Sequence, residues 1–370
     1  MLKFRENGKF SMLLFGDIHE KEDWKTSLRF KDMNKLMNAA LDEFRPDICV
    51  LLGDNLSTGL LVEKKDAFDE ALAAICAPAV ERGIPVYAIM GNHEHDPGID
   101  GEVLAAYGRA RGVTMRSESP GGNADYKELV YSSDGKTPLA CLWFLDSNNL
   151  YEDRSVSHYD VVHTDQIEWF EKESALLKEM NGGEPMPSYI FQHTPVPEEY
   201  RLLRKARFWE LPVSVRGHNT LEKNRYVGIK GVKGYVGEGP CSPDINNGQF
   251  DSWKKTGGVK AAFFGHDHLN DFSGYVDGIY LAQHKTAGFR AYTDGCRSCV
   301  RYVEIDEKSP GEFTDVLKHF KEFGLECECL GPVLKRITDR QSMLMHIAFG
   351  VLGAAAAIAA VAGIAIHFLG

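Results

Sequence analysis

Five short groups of acidic, amide and imidazole side chains each come directly after an apolar run in this sequence. The groups are Gly16-Asp17-Ile18-His19, Gly53-Asp54-Asn55, Gly91-Asn92-His93-Glu94, Gln192-His193 and Gly265-His266-Asp267-His268. Residues two apart in an extended segment face the same way, so Asp17 with His19, and His266 with His268, can each form a two-pronged ligand. Carboxylate, carboxamide and imidazole together suit divalent Mn, Fe, Zn or Co. The pattern therefore predicts a metal centre without thiolate ligands.

The number of candidate ligands indicates two metal ions rather than one. Seven side chains are too many for one tetrahedral ion and fit two ions that share a carboxylate. A single Asp or His after a strand is usually a turn or cap residue, but no folding requirement explains all five groups in one chain. The candidate ligands are Asp17, His19, Asp54, Asn92, His193, His266 and His268.

The apolar runs before these groups predict strands, and amphipathic stretches between them predict helices. Strands are predicted at Phe10–Phe15, Asp47–Leu52, Pro85–Met90, Leu139–Leu145, Ser188–Phe191, Val259–Phe264, Ile279–Ala282 and Val300–Ile305. Helices are predicted at Leu28–Leu41, Ala67–Arg82, Asp165–Met180 and Glu312–Leu325. This alternation is typical of a layered α/β domain with a largely parallel sheet. Loops beyond the carboxyl ends of such strands converge on one crevice, so we expect the seven candidate ligands and His93 around one point.

In this order, the five groups resemble the calcineurin-like metallophosphoesterases. The resemblance spans about Phe10 to Ile305, and the stretch from Phe263 to Phe272 further resembles the purple-acid-phosphatase-like branch. It implies an α/β fold built as a layered β-sandwich flanked by helices. The chain departs from that branch in two places: Ser57 stands where the iron-binding tyrosine is expected, and His19 replaces a small residue. A purple Fe(III)–tyrosinate centre is therefore not expected, and the identity of the two divalent ions stays open.

The resemblance also implies roles for individual residues. One ion would be held by Asp17, His19, Asp54 and His268, and the other by Asp54, Asn92, His193 and His266. A metal-bridging hydroxide would attack a phosphate ester. His93 would not be a ligand; it would stabilise the phosphoryl oxygens or protonate the leaving group, with Asp96 or Glu94 orienting it. No residue for any other cofactor is predicted.

Charge divides the chain into two unequal parts. It has 42 basic and 53 acidic residues and a net charge of −11. Every one of these charged residues lies at or before Arg340. The acidic balance argues against nucleic acid as a partner, except as a substrate, because phosphate backbones need a basic face. The expected parts are a catalytic domain over 1–330 with an irregular insertion or substrate loop at 194–260, a basic linker at 331–342 and a transmembrane anchor at 343–369.

The anchor prediction depends on an uncharged run long enough to span a bilayer. A buried C-terminal hairpin or core helix is the alternative. Because Lys335, Arg336 and Arg340 precede the run, the positive-inside rule predicts a membrane protein with a single C-terminal pass and a cytoplasmic catalytic domain. The oligomeric state is not predicted.

Two weaker patterns lie outside the five groups. Cys296-Arg297-Ser298-Cys299 and Cys327-Glu328-Cys329 offer four thiolates to zinc, but the tight second spacing favours unligated thiols. A basic cluster lies near Phe208 and Trp209, and it is either a solvated helical face, a receiver for an anionic substrate or a contact for acidic lipid headgroups. Its members are Arg201, Arg204, Lys205 and Arg207.

The sequence thus predicts a membrane-tethered two-metal phosphoesterase, with phosphomonoesters favoured as substrates. A phosphodiesterase acting on a nucleotide or a lipid head group would use the same ligands, so it stays open as an alternative. A catalytically silent, membrane-tethered interaction domain is the alternative of a different class.

Overall fold

The computed structural model describes residues 1–57, 59–96, 98–121, 123–293, 295–336, 348–359 and 361. Its strands are Leu2–Lys3 (β1), Lys9–Phe15 (β2), Ile48–Leu51 (β3), Val86–Ala88 (β4), Val113–Thr114 (β5), Tyr126–Tyr131 (β6), Pro138–Leu145 (β7), Ser188–Gln192 (β8), Leu203–Lys205 (β9), Val215–Arg216 (β10), Arg225–Gly228 (β11), Val259–Phe264 (β12), Ser273–Val276 (β13), Ile279–Gln283 (β14), Cys299–Asp306 (β15) and Ser309–His319 (β16). Its α-helices are Leu28–Phe44 (α1), Gly59–Glu63 (α2), Lys65–Glu81 (α3), Asn92–His95 (α4), Asp100–Arg109 (α5), Thr164–Met180 (α6), Gln249–Thr256 (α7) and Pro332–Arg336 (α8). Short 3₁₀ helices lie at Trp24–Thr26, Pro197–Leu202, Phe208–Val213, Asn219–Leu221 and Phe320–Phe323.

Two mixed sheets form the layers of the domain. In the described part of the chain, one sheet has the order β1-β6-β7-β8-β12-β14-β13 and the other the order β16-β15-β2-β3-β4-β5. The central neighbours of each sheet run parallel, namely β7 to β14 in the first and β2 to β5 in the second. The antiparallel pairs are β6 with β7 and β13 with β14 in the first sheet, and β2 with β15 and β15 with β16 in the second, whereas the edge strands β1 and β5 pair parallel to their neighbours. The prediction of a layered α/β domain with largely parallel sheets is confirmed.

Strand β7 shows how the layers share their apolar side chains. Its Leu142 and Phe144 belong to the core that also contains the side chains of β2 and β3. Its Trp143 and Leu145 belong to a second core, on the other face, with aromatic side chains from α6 and α7. Successive side chains of a strand point to opposite faces, so a strand that is apolar at every position is buried on both sides.

Two sequence-based expectations about local structure are wrong. The segment Glu312–Leu325 is not a helix: most of it is β16, which pairs antiparallel with β15. Exposure alternates along β16, the period of a strand with one solvated face, and the free edge of β15 supplies its hydrogen-bond partners. The insertion 194–260 is not irregular either, because β10, β11 and β9 form a small antiparallel sheet there and α7 follows.

The C-terminal segment is only partly described. Residues 348–359 are helical, and their side chains are exposed. None of the helices in the described part of the chain is long and apolar enough to cross a bilayer. The rest of the predicted anchor at 343–369 lies outside the described residues, apart from residue 361, so the anchor stays a prediction.

Candidate metal centre

The five groups lie at the carboxyl ends of strands from both sheets. Asp17 and His19 follow β2, Asp54 follows β3 and Asn92 follows β4, while His193 follows β8 and both His266 and His268 follow β12. Hydrogen bonds between the loops join the two sheets at this point. The His193 Nδ1 lies 2.7 Å from the carbonyl oxygen of Leu52, and the backbone N–H of His266 donates to both carboxylate oxygens of Asp17 at 3.0 and 3.1 Å.

Asp17, His19 and His268 form the first cluster of possible ligands. The Nε2 atoms of His19 and His268 are 3.1 Å apart, and the Nε2 of His268 is 3.6 Å from Asp17 Oδ1. Asp17 is fully buried, and His268 is 5% exposed. Two imidazole nitrogens and a carboxylate oxygen therefore point at one small volume.

Asp54, His193 and His266 form the second cluster. The Nε2 of His193 is 3.3 Å from Asp54 Oδ2 and 3.2 Å from Asn92 Oδ1. The Nε2 of His266 is buried and has no hydrogen-bond partner among the described residues. A buried polar atom without a partner is costly, so this nitrogen calls for a group that would engage it.

One carboxylate lies between the two clusters. Asp54 Oδ2 is 3.3 Å from His193 Nε2 and 3.5 Å from His19 Nε2, so it faces both groups at once. The side chains present therefore fit two divalent cations that share Asp54, because the donor set is buried, convergent and made of oxygen and imidazole nitrogen.

The electrostatics of the centre favour a cation. Burial lowers the pKa of His19 to about 4 and that of His268 to about 3, which keeps both imidazoles neutral, the form that binds metals. Although burial opposes it, Asp54 raises the pKa of His193 to about 10, so this position attracts positive charge. Against the same burial effect, His193 and His19 hold the pKa of the Asp54 carboxyl well below its usual range.

The backbone at four of the ligand positions is strained. Asp17, His19, Asp54 and His266 have φ values of 54°, 51°, 51° and 72°, in the left-handed region that favours glycine. Such conformations cost about 1–3 kcal/mol each and persist only where the surroundings enforce them. The surroundings here include the hydrogen bond from His19 N to Asp54 O, at 2.8 Å.

His93 lies at the rim of the centre. Its side chain is 48% exposed, its ring centroid is 5.2 Å from that of His19, and its backbone N–H donates to Asp54 Oδ1 at 2.9 Å. Asp96 contacts its Nδ1, so Asp96, and not Glu94, is the carboxylate beside His93. Burial alone would lower the pKa of His93, but the negative charges of Asp54 and Asp96 raise it. Beside this ring lies an open cleft of about 570 Å³, lined also by Lys21 and Val62.

Glu94 has a structural task that sequence reasoning missed. Its buried carboxylate accepts backbone N–H groups from Asp54 at 2.8 Å, Asn55 at 2.9 Å and Gly91 at 2.9 Å. The hydroxyl of Tyr107 also donates to it, at 3.2 Å. Glu94 thereby fixes the loop after β3 against the loop after β4. Its place in the Gly-Asn-His-Glu group was the available signal.

Two tyrosines support the ligand histidines and carry no signal in the sequence. The ring of Tyr292 stacks on His268 with centroids 4.2 Å apart, and the edge of Tyr159 meets His266 at 4.3 Å. Each tyrosine is far in sequence from the histidine that it contacts, so motif spacing could not identify it.

The cysteine pairs behave differently from one another. The Sγ of Cys327 is 3.7 Å from that of Cys329 and donates to Asp32 Oδ2 at 3.3 Å, whereas the thiol of Cys299 donates to the carbonyl of Lys285. Burial and then Asp32 raise the pKa of the Cys327 thiol to about 12. Asp32, Cys327 and Cys329 lie close enough together to hold one metal ion, so the preference for unligated thiols stays a prediction.

Comparisons with known proteins identify a matching family and several similar proteins. A family model described as calcineurin-like phosphoesterase matches residues 10–270. Two Arabidopsis thaliana relatives are named probable inactive purple acid phosphatase 29 and probable inactive purple acid phosphatase 28. The first is 26% identical over 84% of this chain and 81% of its own length, and the second 25% identical over 86% and 80%. Among solved structures, a dimetal phosphatase from Danio rerio matches 84% of this chain and 99% of its own, with 13% identity and a TM-score of 0.48.

Proposed function

The chain belongs to the calcineurin-like phosphoesterase family, and we propose that it hydrolyses phosphate esters with two divalent cations, phosphomonoesters being favoured. The observation that carries the proposal is the carboxylate of Asp54, which faces His19 on one side and His193 on the other. Asp17, His19, Asp54 and His268 would hold one cation, and Asp54, Asn92, His193 and His266 the second. When bound, the cations supply positive charge to the phosphoryl oxygens and lower the pKa of water.

The chain's own residues supply the remaining chemistry. Asp96 engages Nδ1 of His93, so we assign proton transfer to Nε2. The raised pKa of His93 keeps this imidazole protonated towards neutral pH, as donation to a leaving oxygen requires. The cleft beside His93 gives the ester group room, and its charged lining consists of Lys21, Glu63 and Asp96 beside the two histidines.

The experiment is turnover of p-nitrophenyl phosphate and bis-p-nitrophenyl phosphate by full-length protein loaded in turn with Mn, Fe, Zn or Co. His93→Ala should lower kcat by about 10²–10⁴ and leave the metal content unchanged, because general acid catalysis contributes that much. His163→Ala is the matched control, since His163 is also 48% exposed and pairs with an aspartate three residues away. Asp54→Asn should lose both metal and activity.

Two outcomes would contradict this reading. Preference for the diester would favour a phosphodiesterase. The absence of turnover with all four metals would favour a silent interaction domain, in agreement with the names of the Arabidopsis relatives.

We also propose that residues 343–369 anchor the chain in a membrane with the catalytic domain on the cytoplasmic side. The support is the uncharged run after Arg340 and the basic residues before it. Ending the chain at Arg340 should move the protein from the membrane fraction to the soluble fraction. A full-length chain that is soluble without detergent would contradict the anchor.

A further inference from the structure

The insertion presents an exposed apolar tip to solvent. The tip is the 3₁₀ helix Phe208–Val213, between β9 and β10 of the small sheet. Phe208 is 86% exposed, Trp209 71% and Leu211 38%. Two adjacent aromatic side chains this exposed are unusual on a soluble surface, and exposed apolar patches mark contacts with a protein or a membrane.

Basic residues surround the tip. Residues 201–233 include nine Lys or Arg and two Glu, a net charge of +7 in a chain whose total is −11. Arg204 is neutralised by Glu210 in a two-pronged ion pair at 2.6 and 2.8 Å. Lys205 and Arg207 are exposed and make no ion pair with any described residue, so their charge is available to a partner. The insertion is thus a locally basic segment of an acidic protein.

The tip is held rigidly rather than loosely. The Glu210 carboxylate also accepts the backbone N–H of Arg207 at 2.8 Å, which closes the first turn of the 3₁₀ helix. The guanidinium of Arg225 on β11 bonds to Ser214, directly after the tip, at 2.7 Å through Nε. The guanidinium of Arg207 lies 5.5 Å from the ring centroid of Trp209. Because these aromatic and basic side chains are already held in place, they lose little conformational entropy on binding.

We propose that this tip and its basic surroundings dock on the surface of a bilayer that contains anionic phospholipids. Tryptophan and phenylalanine prefer the interface between headgroups and acyl chains, while lysine and arginine are attracted to anionic headgroups. Phe208 and Trp209 are mostly exposed, so both rings are free to enter a fluid interface. Nucleic acid would engage the basic residues but leave Phe208 and Leu211 in water. The proposal goes beyond the catalytic function and does not rest on it or on the C-terminal anchor.

The test uses full-length protein and Trp209 as a local probe. Vesicles of phosphatidylcholine with acyl chains brominated near the headgroup, with or without phosphatidylserine, are added, and quenching of tryptophan emission is measured in wild type and in Trp209→Phe. The difference between the two proteins isolates Trp209 from the other tryptophans, of which Trp143 and Trp253 are buried. The readout is local, so it does not depend on whether the C-terminal segment also holds the chain on the vesicle.

We expect Trp209 to be quenched by phosphatidylserine vesicles and spared by neutral ones, with the effect lost at high salt. Reversing Lys205→Glu together with Arg207→Glu should raise the lipid concentration for half-quenching at least tenfold. The matched control, Lys64→Glu with Lys65→Glu, reverses the charge of two exposed lysines at the start of α3 and should leave the lipid concentration for half-quenching unchanged.

Three results would overturn the proposal. The first is the absence of quenching with anionic vesicles, and the second is equal quenching by neutral vesicles. The third is a shift of Trp209 emission by duplex DNA or by p-nitrophenyl phosphate instead of vesicles, which would assign the basic cluster to nucleic acid or to the substrate. None of these measurements depends on phosphatase turnover, so failure here and failure of the proposed function are distinguishable.

Discussion

Replacing Gly91 by alanine should disable the metal centre while leaving the fold intact. A Cβ at this position would lie 2.2 Å from Asp54 Oδ1 and 2.4 Å from Asp54 N, whereas ordinary contacts begin at 3.4 Å. The φ of Gly91 is −97°, which alanine adopts freely, so the substitution acts through this collision alone. Because Gly91 N is also bound to Glu94, the loop after β4 resists moving away. The backbone and the carboxylate of Asp54 must therefore both shift by about 1 Å to restore ordinary contact.

The size of the effect follows from the tolerance of metal sites. Ligand distances in such sites hold to about 0.2 Å, so a shift of about 1 Å removes the shared carboxylate from both clusters. We expect metal affinity to fall at least 10–100-fold, the loss typical of a misplaced ligand environment. Turnover should fall about 10²-fold or more. Overpacking should lower the free energy of unfolding by about 1–3 kcal/mol.

The assay is calorimetric titration of metal-free protein with Mn²⁺ and Zn²⁺, alongside turnover and urea unfolding. Gly101→Ala is the matched control, because Gly101 lies in α5 with nothing within 4 Å of its added Cβ. That variant should bind metal normally and gain about 0.5–1 kcal/mol of stability. If Gly91→Ala binds two metals with wild-type affinity, Asp54 is not the shared ligand, and the reasoning from this close contact is refuted.

Three further predictions test other parts of the structure. Asp96→Asn should lower the pKa of His93, because the Asp96 carboxylate helps to raise it. The proposed role of His93 needs the protonated imidazole, which is lost as pH rises through this pKa, so the alkaline limb of the pH–rate profile should move to lower pH at unchanged metal content. Asp271→Asn should cost about 3–5 kcal/mol in urea unfolding at pH 7, because it removes the charge 3.2 Å from the buried Lys285. Burial alone would raise the pKa of Asp271, but His319 and Lys285 hold it far below normal. The Asp271 carboxylate therefore stabilises the fold above about pH 4, and this stabilisation is lost as pH falls. The difference in unfolding free energy between wild type and Asp271→Asn should narrow below that pH. Removing the metals with a chelator should lower the Tm of the wild type and leave the Tm of Asp54→Asn unchanged. A metal present at 100 times its Kd contributes about 2.7 kcal/mol to the free energy of unfolding, and chelation removes this contribution.

The position of the site was predictable because it depends on a rule of chain topology. Each candidate ligand follows an apolar run, and the carboxyl ends of parallel strands meet. The rule needed no knowledge of which strand joins which sheet, although β3 and β8 turned out to belong to different sheets. Local sequence was therefore sufficient to bring Asp54 and His193 together.

The elements that sequence reasoning missed depend on contacts between distant segments. The residues of Glu312–Leu325 do not indicate that β15 has an unpaired edge, and β16 is a strand because it pairs with that edge. The small sheet in the insertion has strands of two to four residues, too short for periodicity to detect. Its assembly depends on pairing between segments that begin 22 residues apart, at Leu203 and Arg225.

The proposed metal binding and the proposed catalysis depend on different residues of this chain, which bears on the relatives named inactive. All the ligand side chains except the partly exposed His19 are buried, and four ligand residues hold strained left-handed backbone conformations that the surrounding structure enforces. These features favour a cation-binding centre whether or not the chain is an enzyme. The proton transfer that we propose would depend instead on His93, which is half exposed at the rim and pairs with Asp96. A silent member of the family would therefore still show a Tm that falls on chelation, so the chelation experiment tests the metal centre alone. Only the turnover of His93→Ala measured against His163→Ala tests whether the centre does chemistry.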